Sequence, residues 1–341
     1  MPVVRDINDD ITTMHFQKSI LRGLIYSAVD YGADLHEICR RVGVTPEELS
    51  TGEEMVPWQP DPSRDFWTNA VEMTGDQLLG LHLGEHENAS RNLGMLAMFA
   101  RSCRTVGEGL RTICVYNETV STVLKYGLEL EGEYAVFSMQ PISLWELHNE
   151  DSARQATEIS LAGFCKSLLS LATTKVVPVR VEIKYSEREK HEYERVLGAP
   201  VFFGMKRNAI ILRRSDLDLN LVTYDESLRA VFESLVTAKR TMMREKEGLV
   251  QRIRQLLVEQ FHGQIPSIED ISSQLNMTPR TLQRKLADQG TSFRTVSLQF
   301  RKDLAEQLTR GGSAKKQHVA NILGYADADT LRRAIKASGA V

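Results

Sequence analysis

Near its C-terminal end the chain carries the same small pattern twice: two short helices joined by a tight turn, the second rich in arginine. In the first copy, PSIEDISSQLNMTPRTLQRKLADQG, Ile271 and Leu275 give a short helix its apolar side and Asn276-Met277 makes the turn. Thr278-Pro279 then opens a second helix with proline in its first turn. Leu282 and Leu286, one turn apart, form its buried side, Gly290 ends it, and Arg280, Thr281, Gln283 and Arg284 point outward. HVANILGYADADTLRRAIKAS repeats the logic: Val319, Ala320 and Leu323 pack, Gly324-Tyr325 turns, Asp327 caps, and the next helix carries Thr330, Arg332, Arg333 and Lys336. Between the copies, Ser292 to Leu308 predicts a connecting helix with Phe293, Val296, Phe300, Leu304 and Leu308 as its buried stripe. At 1.5 Å per residue that helix is about 25 Å long. It can hold two reading helices near the ~34 Å repeat of major-groove faces.

This is the pattern of a helix-turn-helix that reads DNA, and its chemistry suits the task. Arginine binds guanine through two hydrogen bonds, glutamine does the same for adenine, and Lys285 suits a phosphate. A solvated charged helix face has the same appearance in a single copy; the second copy favours DNA. Charge agrees. Overall the chain carries 42 Lys+Arg and 45 Asp+Glu, net −3. From Val250 onward there are 14 basic and 8 acidic residues, so an acidic body is followed by a basic tail that meets the polyanion.

The rest of the chain predicts an α+β domain, helix-rich with a small sheet of about five strands, ahead of an all-α tail with two helix-turn-helix units. HFQKSILRGLIYSAVDYG, TPEEL, DPSRDFWTNAVEMTG and TVGEGLRTICVYNETV have a helical period. VSTVLKYGLELEGEYAVFSMQ reads as two strands joined at Glu131-Gly132, VVPVRVEIKYS as a strand, and APVFFGMKRNAIILRRS as a hairpin turned at Lys206 to Asn208. DSARQATEISLAGFCKSLLSLAT and EREKHEYERVLG return to helix. Asp225 to Phe261 is helical but broken near Gly248, and HGQIPS is a hinge. On the first of these helices Leu228, Val231, Leu235 and Met242 form a stripe, either for dimerisation or for packing on their own domain. Met95, Phe99, Tyr116, Phe137 and Trp145 are candidates to line an apolar effector cavity, with Arg91 as an anion partner; ordinary core residues and a surface arginine read the same way.

Four scattered cysteines without a C-x-x-C pair suit a reducing cytoplasm, and neither a signal peptide nor a membrane span is legible. One segment points elsewhere. In GLHLGEHENAS, His82, Glu85 and His86 have the H-x-x-E-H spelling of a family of zinc peptidases, with both histidines on one face if the segment is helical. Such a site needs a third ligand and a stable helix. Glu108 and Glu118 are the remaining candidates for that ligand, and Gly84 weakens the helix by about 1 kcal/mol. No catalytic residue, metal or cofactor is expected.

TPRTLQRKL, the GTSF turn, QFRKDLAEQL and VANILGYADADTLRRAIK resemble the DNA-binding domain of the AraC/XylS family of bacterial transcription regulators. GVTPEEL, TGDQLLGLHLG, RNLGMLAMFARSCRTVGEGLR and YERVLGAPVFFGMKRNAIILRRSDLDLNL resemble the effector domain of one of its subgroups, so the likeness covers nearly the whole chain. The resemblance implies an effector-binding and dimerisation domain over residues 1–245 and a DNA-binding domain over 246–341. Within the latter it implies a first helix-turn-helix at about 267–290, a connecting helix at about 292–309 and a second unit at about 315–338. It places Arg280, Thr281, Gln283 and Arg284 on the bases from the first unit, and Ala328, Asp329, Arg332 and Arg333 on DNA from the second. It gives Arg301 a structural role and GLHLG no metal role. It also implies an activator working as a homodimer on double-stranded operator DNA, with a small-molecule effector and RNA polymerase as partners. Three departures stand out: Lys315-Lys316 at the second unit's entry, Leu331 and Ile335 where aromatics are usual, and an ending at Ser338-Gly339-Ala340-Val341 without the family's G-x-S-P-x-x-Y-R tail.

Overall fold

The protein is described from a computed structural model that covers residues 14–50, 55–57, 62–86, 93–246, 248–259 and 265–310. The chain divides into two compact units. One comprises residues 15–141 and 149–244; the described part of the other comprises Met14, 142–148 and the residues from 245 on.

The first unit begins with β1 (His15–Gln17), α1 (Lys18–Asp30), α2 (Leu35–Val42), α3 (Pro46–Ser50) and β2 (Met55–Pro57), with β1 and β2 antiparallel. Local chemistry sets the boundaries. α1 buries Leu21, Leu24, Ile25 and Ala28, and the chain turns at Gly32 with φ +101°. In α2 the Asp34 carboxylate accepts from the Glu37 N–H at 2.8 Å, and Gly43 at φ +78° closes the helix. Next come α4 (Phe66–Thr74), α5 (Leu79–Glu85), α6 (Gly94–Ser102) and α7 (Val106–Tyr116), the last capped by Thr105. Phe16, expected in the first helix, pairs with Val56 in the β1–β2 ribbon instead.

Strands β3 (Leu124–Glu131) and β4 (Tyr134–Pro141) form the expected hairpin, turning at Gly132 with φ +62°. Helix α8 (Ser143–His148) groups with the other unit. After α9 (Glu150–Leu171) follow β5 (Arg180–Glu182), α10 (Lys190–Leu197), β6 (Val201–Phe202), β7 (Ala209–Arg213) and α11 (Glu226–Lys246). The five-stranded sheet has the order β3-β4-β7-β5-β6.

That order corrects the hairpin expected over 199–215. β6 does not pair with β7; it runs parallel to β5, Val181 opposite Val201, while β7 is antiparallel to both β4 and β5. The reason is topological: α10 lies between β5 and β6 in the chain, and a helical crossover returns the second strand parallel to the first. α9 packs on β4 and β7 and on α4, α5 and α10. The main core gathers Leu96 and Phe99 of α6, Leu110 and Ile113 of α7, Phe137 and Met139 of β4, Leu161 and Cys165 of α9 and Val236 of α11. All four cysteines are free thiols; Cys39, Cys103 and Cys165 are buried and Cys114 is half-buried.

α11 turns only one side inward. Val236 is 1% exposed, whereas Leu228, Val231, Leu235 and Met242 are 50%, 53%, 47% and 61% exposed. The stripe therefore does not pack on its own domain. The helix breaks at Gly248, and α12 (Leu249–Glu259), α13 (Ile268–Gln274), α14 (Pro279–Asp288) and α15 (Phe293–Arg310) follow in the described part of the second unit. Ile253 and Leu257 of α12, Ile271, Leu275, Leu282, Leu286, Val296 and Phe300 are all buried, and α12 packs on α13, α14 and α15. Among the described residues no helix is long and apolar enough to cross a membrane.

Candidate nucleic-acid interface

The first helix-turn-helix is fixed by its caps. The Ser267 hydroxyl oxygen accepts from the Asp270 N–H at 3.1 Å, and the Asp270 carboxylate accepts from the Ser267 N–H at 3.2 Å, a reciprocal box that starts α13. The turn uses Asn276 in the left-handed region at φ +52°, with the Met277 N–H donating to the Ser272 carbonyl at 2.9 Å. Thr278 Oγ1 then accepts from the Thr281 N–H at 3.2 Å, and Pro279 occupies the first turn of α14. After α14 the chain leaves through Gly290 at φ +72°.

On α14, Leu282 and Leu286 are fully buried, while Arg280, Gln283, Arg284 and Lys285 are exposed. At about 100° per residue, Arg284 lies almost opposite the two leucines, with Arg280 beside it, Gln283 on one flank and Lys285 on the other. Thr281 is half-buried and its hydroxyl sits 2.9 Å from that of Thr278, so it belongs to the helix start as much as to the outer face. The second copy, with Ala328, Asp329, Arg332 and Arg333, lies outside the described residues, as do Arg91, Leu304 and Leu308 as side chains.

Of the candidate effector contacts, Met95, Phe99, Tyr116 and Phe137 fall in one cluster. Phe99 and Tyr116 are 5.6 Å apart between ring centroids, and Phe137 meets Phe164 at 4.8 Å and Tyr126 at 5.8 Å. Tyr126 and Phe164, neither of them among the candidate effector contacts, close this aromatic group, and burial pushes the Tyr126 hydroxyl up to about 12. The available signal was Tyr126's place on a strand with alternating apolar residues. Trp145 is buried on α8, in the other unit from these four.

The H-x-x-E-H segment does not take the form of a continuous zinc-peptidase helix. α5 ends at Glu85, and His86 has extended backbone (φ −79°, ψ 142°), so the two histidines do not share a helical face. Each member of the motif has another partner. His82 Nδ1 lies 2.5 Å from Asp76 and its Nε2 3.1 Å from Glu192 of α10. Both oxygens of Glu85 accept from Arg195 at 2.8 Å, Arg195 also donates to Glu192, and His86 meets the Tyr31 ring edge-on. Burial lowers the His82 pKa, but the two carboxylates outweigh it and hold the imidazolium above the usual histidine range. Arg195, then His82, pull Glu192 down to about 2. Among the described residues no group of three or more His, Cys, Asp or Glu is placed to hold a metal ion.

What the segment does is visible in its glycines. A Cβ on Gly80 would fall 2.2 Å from the Gln155 carbonyl oxygen, and one on Gly84 2.6 Å from that of Ile159. Gly80 and Gly84, one turn apart, let α5 lie backbone-close on α9. The Gln155 amide seals the contact, accepting from the Gly80 N–H at 2.6 Å and donating to the Gln77 carbonyl at 2.7 Å.

Residues 32–221 match the family described as the arabinose-binding domain of AraC transcription regulator, N-term. The chain is 24% identical over 319 residues to the Ornithine utilization regulator of Pseudomonas aeruginosa, covering 92% of this chain and 90% of that one. It is 25% identical over 263 residues to the HTH-type transcriptional regulator VqsM of the same organism, covering 75% and 79% respectively. Among solved structures it is similar to the transcriptional regulator CdpR of Pseudomonas aeruginosa, at 24% identity and a TM-score of 0.46 over 92% of this chain and 94% of that one. These relatives are transcription regulators, not enzymes. With more than half of its length matched by that family's N-terminal domain, the chain belongs to the AraC family of DNA-binding transcription regulators.

Proposed function

We propose that this regulator is a transcription activator controlled by a small molecule held in residues 1–245. Residues 246–341 bind operator DNA through two helix-turn-helix units. The observation that carries the reading is the outer face of α14, where Arg280, Gln283 and Arg284 stand clear of solvent-excluded Leu282 and Leu286 on a doubly capped scaffold. Arg280, Gln283 and Arg284 read base edges, Lys285 meets phosphate, and Thr281 supports the helix start while facing DNA. Ala328, Asp329, Arg332 and Arg333 contribute the second unit's contacts. The regulator works as a cytoplasmic homodimer in contact with RNA polymerase. Its effector lies among Met95, Phe99, Tyr116 and Phe137, with Arg91 as a further contact.

Binding to the chain's own promoter region, followed by fluorescence anisotropy, tests the first half. Arg284→Ala is expected to lose ~1–3 kcal/mol of specific binding and to relax one base position. Lys285→Ala is expected to weaken all sequences alike and to flatten the salt dependence by about one unit of slope. Normal operator binding by Arg284→Ala refutes the placement of this helix on DNA. The second half is tested by thermal shift against a metabolite panel that starts with ornithine and related amino acids, because one relative is named for ornithine utilization. A binding effector raises the melting temperature with concentration. If no metabolite does so, the N-terminal domain serves dimerisation alone.

A further inference from the structure

Helix α9 carries charge where a central helix ordinarily carries none. From Ser152 to Ile159 every residue is buried, and Arg154 and Glu158, one turn apart, are 2% and 1% exposed. Arg154 Nε donates to Glu158 Oε1 at 2.6 Å, and the Tyr193 hydroxyl of α10 donates to the same oxygen. Arg154 also donates to the Ser186 carbonyl at 3.0 Å and to the Tyr193 hydroxyl at 2.7 Å, with its guanidinium close to the Tyr185 and Tyr193 rings. The guanidinium is thus well supplied with acceptors. The carboxylate is not: Glu158 Oε2 is buried and meets no hydrogen-bond donor among the described residues. Burial pushes the Glu158 carboxyl above its usual range, although the Arg154 charge opposes the rise. A buried ion pair does not by itself stabilise a core relative to apolar packing, and an unmet carboxylate oxygen within it adds a further cost.

Only one layer of chain covers this pair. Ser186 is exposed, yet its carbonyl touches Arg154 directly. Residues 183–189 form neither helix nor strand, and they enter α10 through Glu189 in the left-handed region at φ 36°, which a residue with a side chain holds only under strain. Three exposed carboxylates, Asp151, Glu187 and Glu189, lie along this segment. The neighbouring cations are already engaged, Arg188 with Asp151 at 2.5 Å and Lys190 with Glu194 at 3.9 Å. An acidic rim of this kind draws in small cations. The group that suits Glu158 Oε2 is therefore a positively charged donor, and an ammonium makes a short, charge-assisted bond to a carboxylate. Ser160, which holds the Tyr126 hydroxyl of the aromatic group at 3.2 Å, lies nearly opposite Glu158 on α9, so the two places are distinct.

We propose that Glu158 Oε2 receives the ammonium group of a small amine, with Arg154 and Tyr193 positioning the carboxylate and residues 183–189 moving aside to admit it. The inference goes beyond the proposed function, whose effector sits in the aromatic group, by adding a second small-molecule site to the first unit. The full-length chain is titrated calorimetrically with the linear four-carbon diamine and, as its uncharged counterpart, the diol of the same length. Titration runs to about 10 mM, where a millimolar affinity is saturating. The diamine is expected to bind at one site per chain and the diol not to bind. Glu158→Gln keeps an acceptor for Arg154 and Tyr193 but removes the charge, and is expected to weaken diamine binding at least about tenfold. Hydrogen exchange on the wild type, which requires no variant, is expected to slow over residues 183–193 when the diamine is present. Absence of saturable diamine binding overturns the proposal, as does equal binding of the diol. So does undiminished binding by Glu158→Gln, which assigns the amine to the acidic surface, or binding that leaves exchange over 183–193 unchanged. If Glu158→Gln does not fold, the exchange measurement decides alone. A metabolite that raises the melting temperature of wild type and Glu158→Gln equally belongs to the other site, so the two assignments fail independently. None of these measurements involves DNA, and the reading of α14 is tested separately by Arg284→Ala.

Discussion

Helices α11 and α14 both turn an amphipathic side inward and leave the other in solvent, yet their outer faces are opposites. α14 shows Arg280, Gln283, Arg284 and Lys285 above buried Leu282 and Leu286; α11 shows Leu228, Val231, Leu235 and Met242 above half-buried Arg229, Glu233 and Arg240. Exposure alone therefore says little about what a helix meets. A face of fork-shaped cations and amides suits a polyanion with readable base edges. A face without charge suits another apolar surface rather than a polyanion.

The sharpest way to break the contrast is to remove the buried side of α14. Leu282→Ala is expected to destabilise the second unit by ~2–5 kcal/mol in urea unfolding and to abolish operator binding without changing the stability of the first unit. If the first unit also loses stability, the two faces are not independent. A finer comparison uses two valines of α11. Val236→Ala, on the inner face, is expected to lower stability by about 1–3 kcal/mol, whereas Val231→Ala, on the outer face, should stay within about 0.5 kcal/mol for the isolated monomer. Equal losses would mean that both faces pack on the domain.

The smallest effect belongs to α5, whose polar face is spent entirely inside its own domain. His82 is held by Asp76 and Glu192, with Glu85, Arg195, His86 and Tyr31 around it. Its pKa is raised in the folded state, so its contribution to stability is complete below the ordinary histidine value of about 6.5 and is lost as pH rises through the folded value. His82→Ala should therefore melt below wild type near pH 6, and the gap should narrow towards pH 9. A gap that is constant with pH would show that the imidazolium contributes nothing as a charge.

Much of the architecture is local in origin and was legible for that reason. Thr278-Pro279 and the glycines at 32, 132, 198 and 290 mark ends and turns through interactions within a few residues. The reading face of α14 follows from the same short-range pattern, because two leucines one turn apart define the side opposite them. The failures are all long-range. β7 finds its neighbours in β4 and β5 rather than in the adjacent β6, and no turn signal near Asn208 records that. His82 and Glu85 spell a metal motif until Glu192 and Arg195, more than a hundred residues later, are seen to occupy them. Gly80 and Gly84 weaken a helix in isolation, yet their missing side chains are what admit α9. The side of the domain that α11 turns to solvent was equally undecidable, since a stripe looks the same whether covered by its own fold or by nothing.

The burial of three of the four thiols makes them clocks. A thiol reagent attacks the thiolate, and burial pushes Cys165 up to about 12 and Cys114 up to about 11, with Cys39 and Cys103 also raised. The buried sulfurs of Cys39, Cys103 and Cys165 are therefore expected to react when the helix that hides each one opens. Cys39 reports on α2, Cys103 on the end of α6 and Cys165 on α9. Labelling rates in the native protein, read cysteine by cysteine, would rank these helices by how often they part from the core, without introducing a single foreign probe.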